Sequence, residues 1–278
     1  MGDLNLVKID GKPIAELGTA LLNKLEKCLG WIASPKGTTS CAIDYYIKRI
    51  ESDKNLPPYV GAALISNAKN IIREYSNQNN ILNIALNQFD GTEKSDQLDE
   101  DWLSHFFDEA KHVSNEDVQL IWAKILSNEC KNPGSTPKKL IHILSLMSTE
   151  SAKHFSILCK FVMKSGKIYL PIIDRKNDFF KKNGLSYYNL LDLTDLGLIN
   201  FSATDNVINR GILKLTYFDS VIFIKSLKRC PIGNVVLTTA GTCLFQSILP
   251  AKAQDEYLNV CTAYWKRKGC TIKIANKP

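Results

Sequence analysis

The sequence predicts a mainly α-helical protein, α+β overall, in which an N-terminal and central helical bundle is followed by a winged-helix-like C-terminal module. Before Gly166, apolar residues recur at three- and four-residue spacing, which is the period of an amphipathic helix. After Gly166, short apolar runs alternate with helical segments, as in a mixed module. We therefore expect three segments: an N-terminal helical region at 1–89, a central helical bundle at 90–165 and a winged-helix-like α+β module at 166–278.

Helices fill the predicted N-terminal region. Residues 14–32 carry leucine and isoleucine on one side and charged residues on the other, so they predict an amphipathic helix. Residues 41–50 predict a second, short helix, which the pair Pro57-Pro58 ends because proline has no N–H to donate. An apolar stripe from Tyr59 to Tyr75 predicts a third helix, and the same pattern continues at 81–86.

The central bundle is predicted from two adjacent amphipathic helices that each carry a tryptophan. The acidic run Asp99-Glu100-Asp101 suits the first turn of a helix, where unpaired N–H groups favour negative charge, and Trp102 begins its apolar face. Ser114 is the predicted N-cap of the next helix, which carries Trp122 on its apolar side. Proline and glycine at 133–134 end that helix. We expect Trp122 to be fully buried.

The segments after this pair alternate in type. Lys138 to Leu146 predicts a helix, and Ser148 or Thr149 caps a longer one that reaches Met163. The elements predicted beyond them are a strand at 168–173, a helix from Ser186 through Leu191 that turns into a strand by Ile199, strands at 211–218, 220–227 and 234–238, helices at 239–249 and 254–268, and a short strand at 271–274. Two helices followed by a hairpin favour a winged-helix arrangement.

Several sequence blocks resemble a bacterial family, domain of unknown function 2806, over about residues 99–268. The blocks are the stretch from Asp101 to Phe107 that begins with Asp-Trp, Trp-Ala-x-Ile-Leu within 113–126, Pro-Gly-Ser at 133–135, Asp-Leu-Gly-Leu-Ile within 190–199 and Leu-Thr-x-x-Gly within 236–244. The resemblance implies a bacterial origin and supports the predicted fold, and it brings no catalytic residue. A looser similarity of the Trp-Ala-x-Ile-Leu helix to abortive-infection proteins suggests a setting in phage defence or mobile elements.

Charge is distributed unevenly along the chain. The net charge is +7, but residues 1–150 carry −4 and residues 151–278 carry +11. An excess of positive charge attracts phosphate backbones, anionic lipid or acidic protein surfaces, although surface lysines also serve solubility alone. The two halves are therefore predicted to face different partners.

Cysteine usage and hydropathy predict the compartment. The eight cysteines form no Cys-x-x-Cys pair and most have apolar neighbours, which predicts reduced core residues and no structural zinc. Charged residues interrupt the N-terminus, and no stretch approaches about eighteen uninterrupted apolar residues. We therefore expect an intracellular, cytoplasmic protein without a signal peptide or a transmembrane segment.

Motifs for catalysis are sparse. No Gly-rich loop is joined to Lys-Ser or Lys-Thr, which excludes a P-loop, and Gly-x-Ser-x-Gly is absent. The four histidines lack the spacing of a helical zinc pair, and Cys159 falls on an apolar helix face, so we expect no metal, no cofactor and no reactive thiol. Asp174 and Lys176 match the latter half of a metal-dependent nuclease site, but no upstream carboxylate partner is evident. A strand end that turns into a solvated loop is the alternative.

Basic residues of the C-terminal half are the candidate binding residues for nucleic acid or an acidic protein. They are Lys181, Lys182, Arg210, Lys214, Lys228, Arg229, Lys266, Arg267 and Lys268. In a winged helix, lysines before a helix and an arginine in the hairpin lie where phosphates pass. The presumed recognition helix at 186–195 offers Asn189 but no arginine or lysine to read base edges, so a solubility rim is the alternative.

Three roles are open to the amphipathic helix at 14–32: core packing, which is the default, self-association into a homo-oligomer, and attachment to a membrane surface through Trp31. Acidic residues beside its lysines disfavour anionic lipid. We therefore predict a non-enzymatic interaction protein, a sensor or accessory factor in phage defence, whose basic half binds nucleic acid or an acidic partner. A metal-dependent nuclease effector and a membrane-surface effector are the alternatives.

Overall fold

A computed structural model describes residues 12–30, 38–171, 177–248 and 252–276. Within these ranges the protein is mainly helical, with eleven α-helices, and a five-stranded antiparallel sheet lies in the C-terminal part. The chain forms two compact units, Met1–Ser145 and Leu146–Pro278. The prediction of a mainly helical protein of the α+β class is therefore confirmed, while the division into three segments stays a prediction.

The N-terminal unit is built from helices whose order matches the sequence pattern. They are α1 (Lys12–Leu29), α2 (Thr38–Ser52), α3 (Pro58–Leu86), α4 (Glu100–Ala110), α5 (Glu116–Lys131) and α6 (Lys138–Leu146), with a 3₁₀ turn at Ser95–Gln97. The two apolar stripes predicted at 59–75 and 81–86 belong to the single helix α3. Pro58 is the first residue of that helix. Proline is tolerated there because N–H groups in the first turn of a helix have no acceptor within the helix, so its missing N–H costs no hydrogen bond.

Aromatic side chains of α4 and α5 form the centre of this unit. The Phe106 ring lies 5.1 Å from the ring of Trp102 and 5.0 Å from the ring of Trp122, measured between centroids. Trp122 has no exposed surface, which confirms its predicted burial. Glu100 and Asp101 lie in the first turn of α4 as expected, and Asp99 is its N-cap, whose carboxylate accepts the Trp102 N–H at 2.7 Å.

The N-cap of α5 is displaced by one residue from the prediction. The Asn115 side chain accepts the Val118 N–H at 3.1 Å, whereas the Ser114 hydroxyl accepts a hydrogen bond from the buried amide of Asn77 on α3. Asn and Ser are comparable N-cap residues, so the local sequence does not choose between them. The hydrogen bond from Asn77 of α3 engages the Ser114 hydroxyl, and Asn115 is the residue that caps α5.

The described part of α1 packs into the core. Leu21 and Leu25 are fully buried, and Lys24 Nζ donates to the backbone oxygens of Asp96, at 2.7 Å, and Leu98. The default role predicted for this helix is therefore confirmed for these residues, while Trp31 lies outside the described residues. Among the helices of the described ranges, none has both the length and the apolar character needed to cross a bilayer.

A buried carboxylate joins two of the sequence blocks that carry the family resemblance. Glu129, which follows Trp-Ala-x-Ile-Leu on α5, is 1% exposed and accepts the N–H groups of Gly134, at 2.5 Å, and Thr136, at 2.7 Å. The Trp102 indole N–H donates to the Thr136 carbonyl at 2.9 Å. These hydrogen bonds hold the loop that contains Gly134 and Thr136 in place. The residues of these blocks therefore have a structural role.

The C-terminal unit contains two β-sheets. Its elements are α7 (Thr149–Cys159), β1 (Val162–Ser165), β2 (Ile168–Pro171), α8 (Phe179–Lys182), α9 (Tyr187–Asp195), β3 (Ile199–Ile208), β4 (Gly211–Tyr217), β5 (Ser220–Ser226), β6 (Cys230–Leu237), α10 (Thr239–Ile248), α11 (Asp255–Arg267) and β7 (Thr271–Asn276). The larger sheet has the order β2-β1-β4-β5-β7, and β3 pairs with β6 in a separate two-stranded sheet. All of these pairs are antiparallel.

Several predicted boundaries are wrong in this unit: among them, the strand predicted at 234–238 begins at Cys230, and the helix predicted through Leu191 reaches Asp195. The helix expected to reach Met163 ends at Cys159, and Val162 begins a strand that pairs with β2 around a turn at Gly166, where φ is +57°. Apolar, β-branched residues fit a short buried strand as well as a helix end, so the periodicity did not distinguish them. The strand expected by Ile199 continues to Ile208 as β3, and α8 was not predicted.

Helix α11 covers one face of the larger sheet. Tyr257 and Trp265 of this helix are fully buried, and the Tyr257 ring lies 5.2 Å from the Tyr217 ring of β4. The Tyr257 hydroxyl donates to the Phe161 carbonyl at 2.6 Å, which satisfies its polar end. The lysines of β4, β5 and β7 alternate with these buried residues and point to the other face.

Candidate functional site

Basic side chains collect at one end of the larger sheet. The pairing of Gly211 with Ser226 places Arg210 beside the turn that follows β5. The pairing of Lys225 with Thr271 brings the end of α11 and the start of β7 to the same place. Six of the nine predicted binding residues meet there and all are exposed. We call this set the basic end: Arg210, Lys228, Arg229, Lys266, Arg267 and Lys268.

The two turns of the basic end are fixed against each other. A Cβ on Gly269 would lie 3.8 Å from Lys228 Cε, so the Lys228 side chain crosses the turn before β7. Lys268 Nζ lies 5.5 Å from the centroid of the Tyr264 ring, within reach of a cation–π interaction. A disulfide joins Cys230 to Cys270. The cationic groups therefore project from an ordered surface.

The structure pairs Cys230 with Cys270, whereas the sequence predicts that every cysteine is reduced. Cys230 and Cys270 are 40 residues apart, so their spacing carries no sign of a bond. The strand order brings them together, because β6 and β7 begin at the same end of the unit. Cys159 behaves as expected: it is 1% exposed, and burial raises the pKa of its thiol well above the ordinary value.

Alkylation tests the disulfide. Protein denatured without a reductant should take up two fewer iodoacetamide adducts than protein reduced first, because the sulfurs of Cys230 and Cys270 are bonded to each other. Intact mass reports the number of adducts. In the variant Cys230→Ser the uptake should be the same with and without reduction. Equal uptake in the unsubstituted protein would show that the pair is reduced.

The sequence around the basic end is short of carboxylates. Asp205 of β3 is the last acid before residues 206–278, which contain eleven lysines and arginines but three acids: Asp219, Asp255 and Glu256. Asp219 lies in the β4–β5 turn, at the opposite end of those strands, and the other two begin α11, whereas Lys266 and Arg267 end it. The length of α11, roughly 20 Å, separates them from the basic end. A positive potential is therefore expected there.

Three predicted binding residues lie elsewhere. Lys181 and Lys182 are exposed at the end of α8, which is close to the first turn of α11, because the Gln254 amide donates to Asn183 Oδ1 at 3.2 Å. They are thus near the end of α11 that is remote from the basic end. Lys214 lies on the open face of the sheet.

Helix α9, the presumed recognition helix, is not equipped to read bases. Asn189, its one predicted base contact, forms a capping box with Ser186, and its amide nitrogen lies 3.1 Å from Nε2 of His154. The exposed residues of the helix include two tyrosines and two carboxylates, at Tyr187, Tyr188, Asp192 and Asp195. Carboxylates repel phosphates, so this face does not favour duplex DNA.

Sequence reasoning missed part of the basic surface. Lys225 and Lys273 were not among the predicted residues, and neither was Phe223, which lies between lysines on neighbouring strands. The signal was present in the alternation of each strand, since successive side chains point to opposite faces of a sheet and Phe223 and Lys225 therefore share a face. The sequence did not show the register in which β4, β5 and β7 pair, so it could not show which residues are neighbours of Phe223 on the adjacent strands.

The N-terminal unit has a cleft of about 400 Å³ that contains His105. Two of its ionisable groups are paired: Lys111 donates to Asp108 at 2.5 Å, and this bond lowers the pKa of Asp108 and raises the pKa of Lys111. In the described ranges, no group of three or more His, Cys, Asp or Glu side chains is placed to hold a metal ion. Asp174 and Lys176, the candidate nuclease residues, lie outside these ranges.

Comparison with known proteins identifies a family. The model of the family described as protein of unknown function DUF2806 matches residues 67–262. This match contains both units in part and includes α5 with its Trp-Ala-x-Ile-Leu block. Searches of curated proteins and of solved structures gave no match.

Proposed function

This chain belongs to the DUF2806 family of proteins of unknown function, and we propose that it binds nucleic acid, without sequence preference, through its basic end. The observation that carries the proposal is the convergence of six exposed cationic residues at one end of the larger sheet, around two turns joined through Cys230 and Cys270. Lysine and arginine neutralise phosphates and release counterions, and this supplies most of non-specific binding. A backbone that already holds the two turns together does not have to be ordered on binding, which lowers the cost of association.

We also propose a winged-helix arrangement for this unit. When β1 and the β4–β5 hairpin are set aside, the remaining order α7, β2, α8, α9, β3, β6 is the helix, strand, helix, helix, strand, strand order of such a module, and β2 lies beside β6. In this interpretation the hairpin of β4 and β5 is an insertion between the two wing strands. Arg210 and Arg229 then lie near the ends of β3 and β6, as a phosphate-contacting wing requires.

The residues of the basic end and of α9 favour contacts with phosphates and do not favour recognition of particular bases. Bidentate donors aimed at base edges give sequence discrimination, and α9 presents carboxylates instead. The proposed role is therefore that of an accessory or sensor protein that holds nucleic acid, with self-association and a bacterial-defence setting as further proposals. A neighbouring nuclease, helicase or phage-integration gene would support that setting.

Direct binding tests the proposal. Fluorescein-labelled duplex DNA, single-stranded DNA and RNA of unrelated sequences should bind the full chain with affinities that differ little between sequences. Fluorescence anisotropy measures these affinities. Incubation of the same probes with Mg²⁺ and electrophoresis should leave them intact. Absence of binding to every probe contradicts the proposal, and binding to an acidic protein alone assigns the same charges to a protein partner. Cleavage that is lost in Asp174→Ala would favour a nuclease.

A further inference from the structure

The open face of the larger sheet carries an aromatic ring between lysines. Lys214 of β4 is the direct partner of Phe223 of β5, and Phe223 is the direct partner of Lys273 of β7. The next row on the same face pairs Lys225 with Thr271. All three lysines are exposed and Phe223 is half-buried. The strands β4, β5 and β7 contain no Asp or Glu.

Strand geometry fixes the spacing of these groups. Neighbouring strands lie about 4.8 Å apart, so Lys214 and Lys273 flank the ring across roughly 10 Å, and Lys225 follows about 7 Å further along. The row that contains Lys225 leads directly into the turn of the basic end, since its partner Thr271 follows Cys270. The lysines and the basic end therefore form one continuous cationic track, and the Phe223 ring lies at the end of this track that is remote from the basic end.

We propose that this face binds single-stranded nucleic acid, with an unpaired base stacked on Phe223 and the adjacent phosphates on Lys214, Lys225 and Lys273. An aromatic ring on an open sheet, bordered by cations, is the chemistry that recognises unpaired bases, because every base has a stacking face. A duplex does not fit it, since the major groove admits a helix or a two-stranded ribbon and this face is at least three strands wide.

This inference rests on the proposed function, because it names the form of nucleic acid that the cationic surface takes. Phosphate binding by the basic end and base stacking on Phe223 predict different experimental results. The basic end alone predicts loss of binding on charge reversal for duplex and single strand alike. Stacking on Phe223 predicts a loss confined to single strands.

The variant Phe223→Leu separates these possibilities, because leucine keeps an apolar side chain in the strand and removes the ring. Binding of a single-stranded oligothymidylate of about 12 nucleotides should weaken roughly tenfold, while binding of a duplex of equal length should not change. Phe218→Leu is the matched control: Phe218 lies in the turn at the other end of the same hairpin and should have no effect. Anisotropy measures all four affinities.

A second variant keeps the test independent of the folding of the first. In the double variant Lys214→Gln and Lys273→Gln, the salt dependence of single-strand binding should fall by roughly 1.4 in log–log slope, at about 0.7 for each phosphate that is no longer neutralised. Unchanged single-strand affinity in Phe223→Leu overturns this inference and leaves the proposed function standing. If Phe223→Leu weakens binding to heparin, a polyanion without bases, as much as it weakens binding to the single strand, the inference is also overturned. Failure of the unsubstituted protein to bind any nucleic acid overturns both.

Discussion

Replacing Trp122 with alanine should lower the free energy of unfolding by roughly 3–5 kcal/mol, the usual cost of truncating a fully buried tryptophan. Trp122 has no exposed surface, and its ring packs on Phe106 at 5.0 Å. Within the part of the chain that the structure describes, its indole N–H has no hydrogen-bond partner. The loss is therefore one of packing and of the cavity left behind. Urea denaturation followed by circular dichroism measures it.

The same helix supplies the control. Leu120 of α5 is 42% exposed, so Leu120→Ala should change the free energy of unfolding by no more than about 0.5 kcal/mol. Trp122→Ala and Leu120→Ala share the helix and the new residue, and they differ in burial. Equal stabilities for the two variants would contradict the packing of α4 against α5.

Reversing the charges of Lys228 and Arg229 should weaken binding of nucleic acid on the order of 100-fold near physiological salt. Each phosphate contact contributes about a factor of five under these conditions through counterion release, and a glutamate adds repulsion to the loss. Duplex and single strand should be affected alike, because both carry the same phosphates. Anisotropy with the double variant Lys228→Glu, Arg229→Glu measures the loss.

A matched control is available on α8. The double variant Lys181→Glu, Lys182→Glu changes the net charge of the protein by the same amount, but these lysines lie about the length of α11 away from the basic end. Its effect should be several-fold smaller. Thermal unfolding checks that both variants fold. If the two variants weaken binding equally, net charge and not the basic end determines affinity.

Local signals predicted the helical part of the fold well. The acidic run at 99–101 begins α4 as expected, Ser148, one of two predicted candidates, caps α7, and α6 has the predicted bounds, because caps and apolar periodicity act within a few residues. The strand β1 was missed since Val162 and Met163 fit a helix end equally well. The choice between Ser114 and Asn115 as a cap depended on Asn77, which is distant in sequence and is supplied by another helix.

The candidate site was predictable in its charge but not in its arrangement. The residues of the basic end were identified individually from the sequence, yet nothing in their spacing showed that Arg210 and Lys268 meet. Strand order creates this proximity, and it depends on pairing between β5 and β7 across more than 40 residues. Phe223 was missed for the same reason: its significance lies in its neighbours on β4 and β7.

The central claim is that the basic end contacts phosphates, and the salt dependence of binding tests it most directly. The association constant of the full chain for a duplex should be measured between about 50 and 200 mM salt. With six phosphate contacts, its logarithm should fall linearly with the logarithm of salt concentration, with a slope of roughly −5. A slope near zero, or no measurable binding at low salt, would contradict the claim and assign these lysines and arginines to solubility alone.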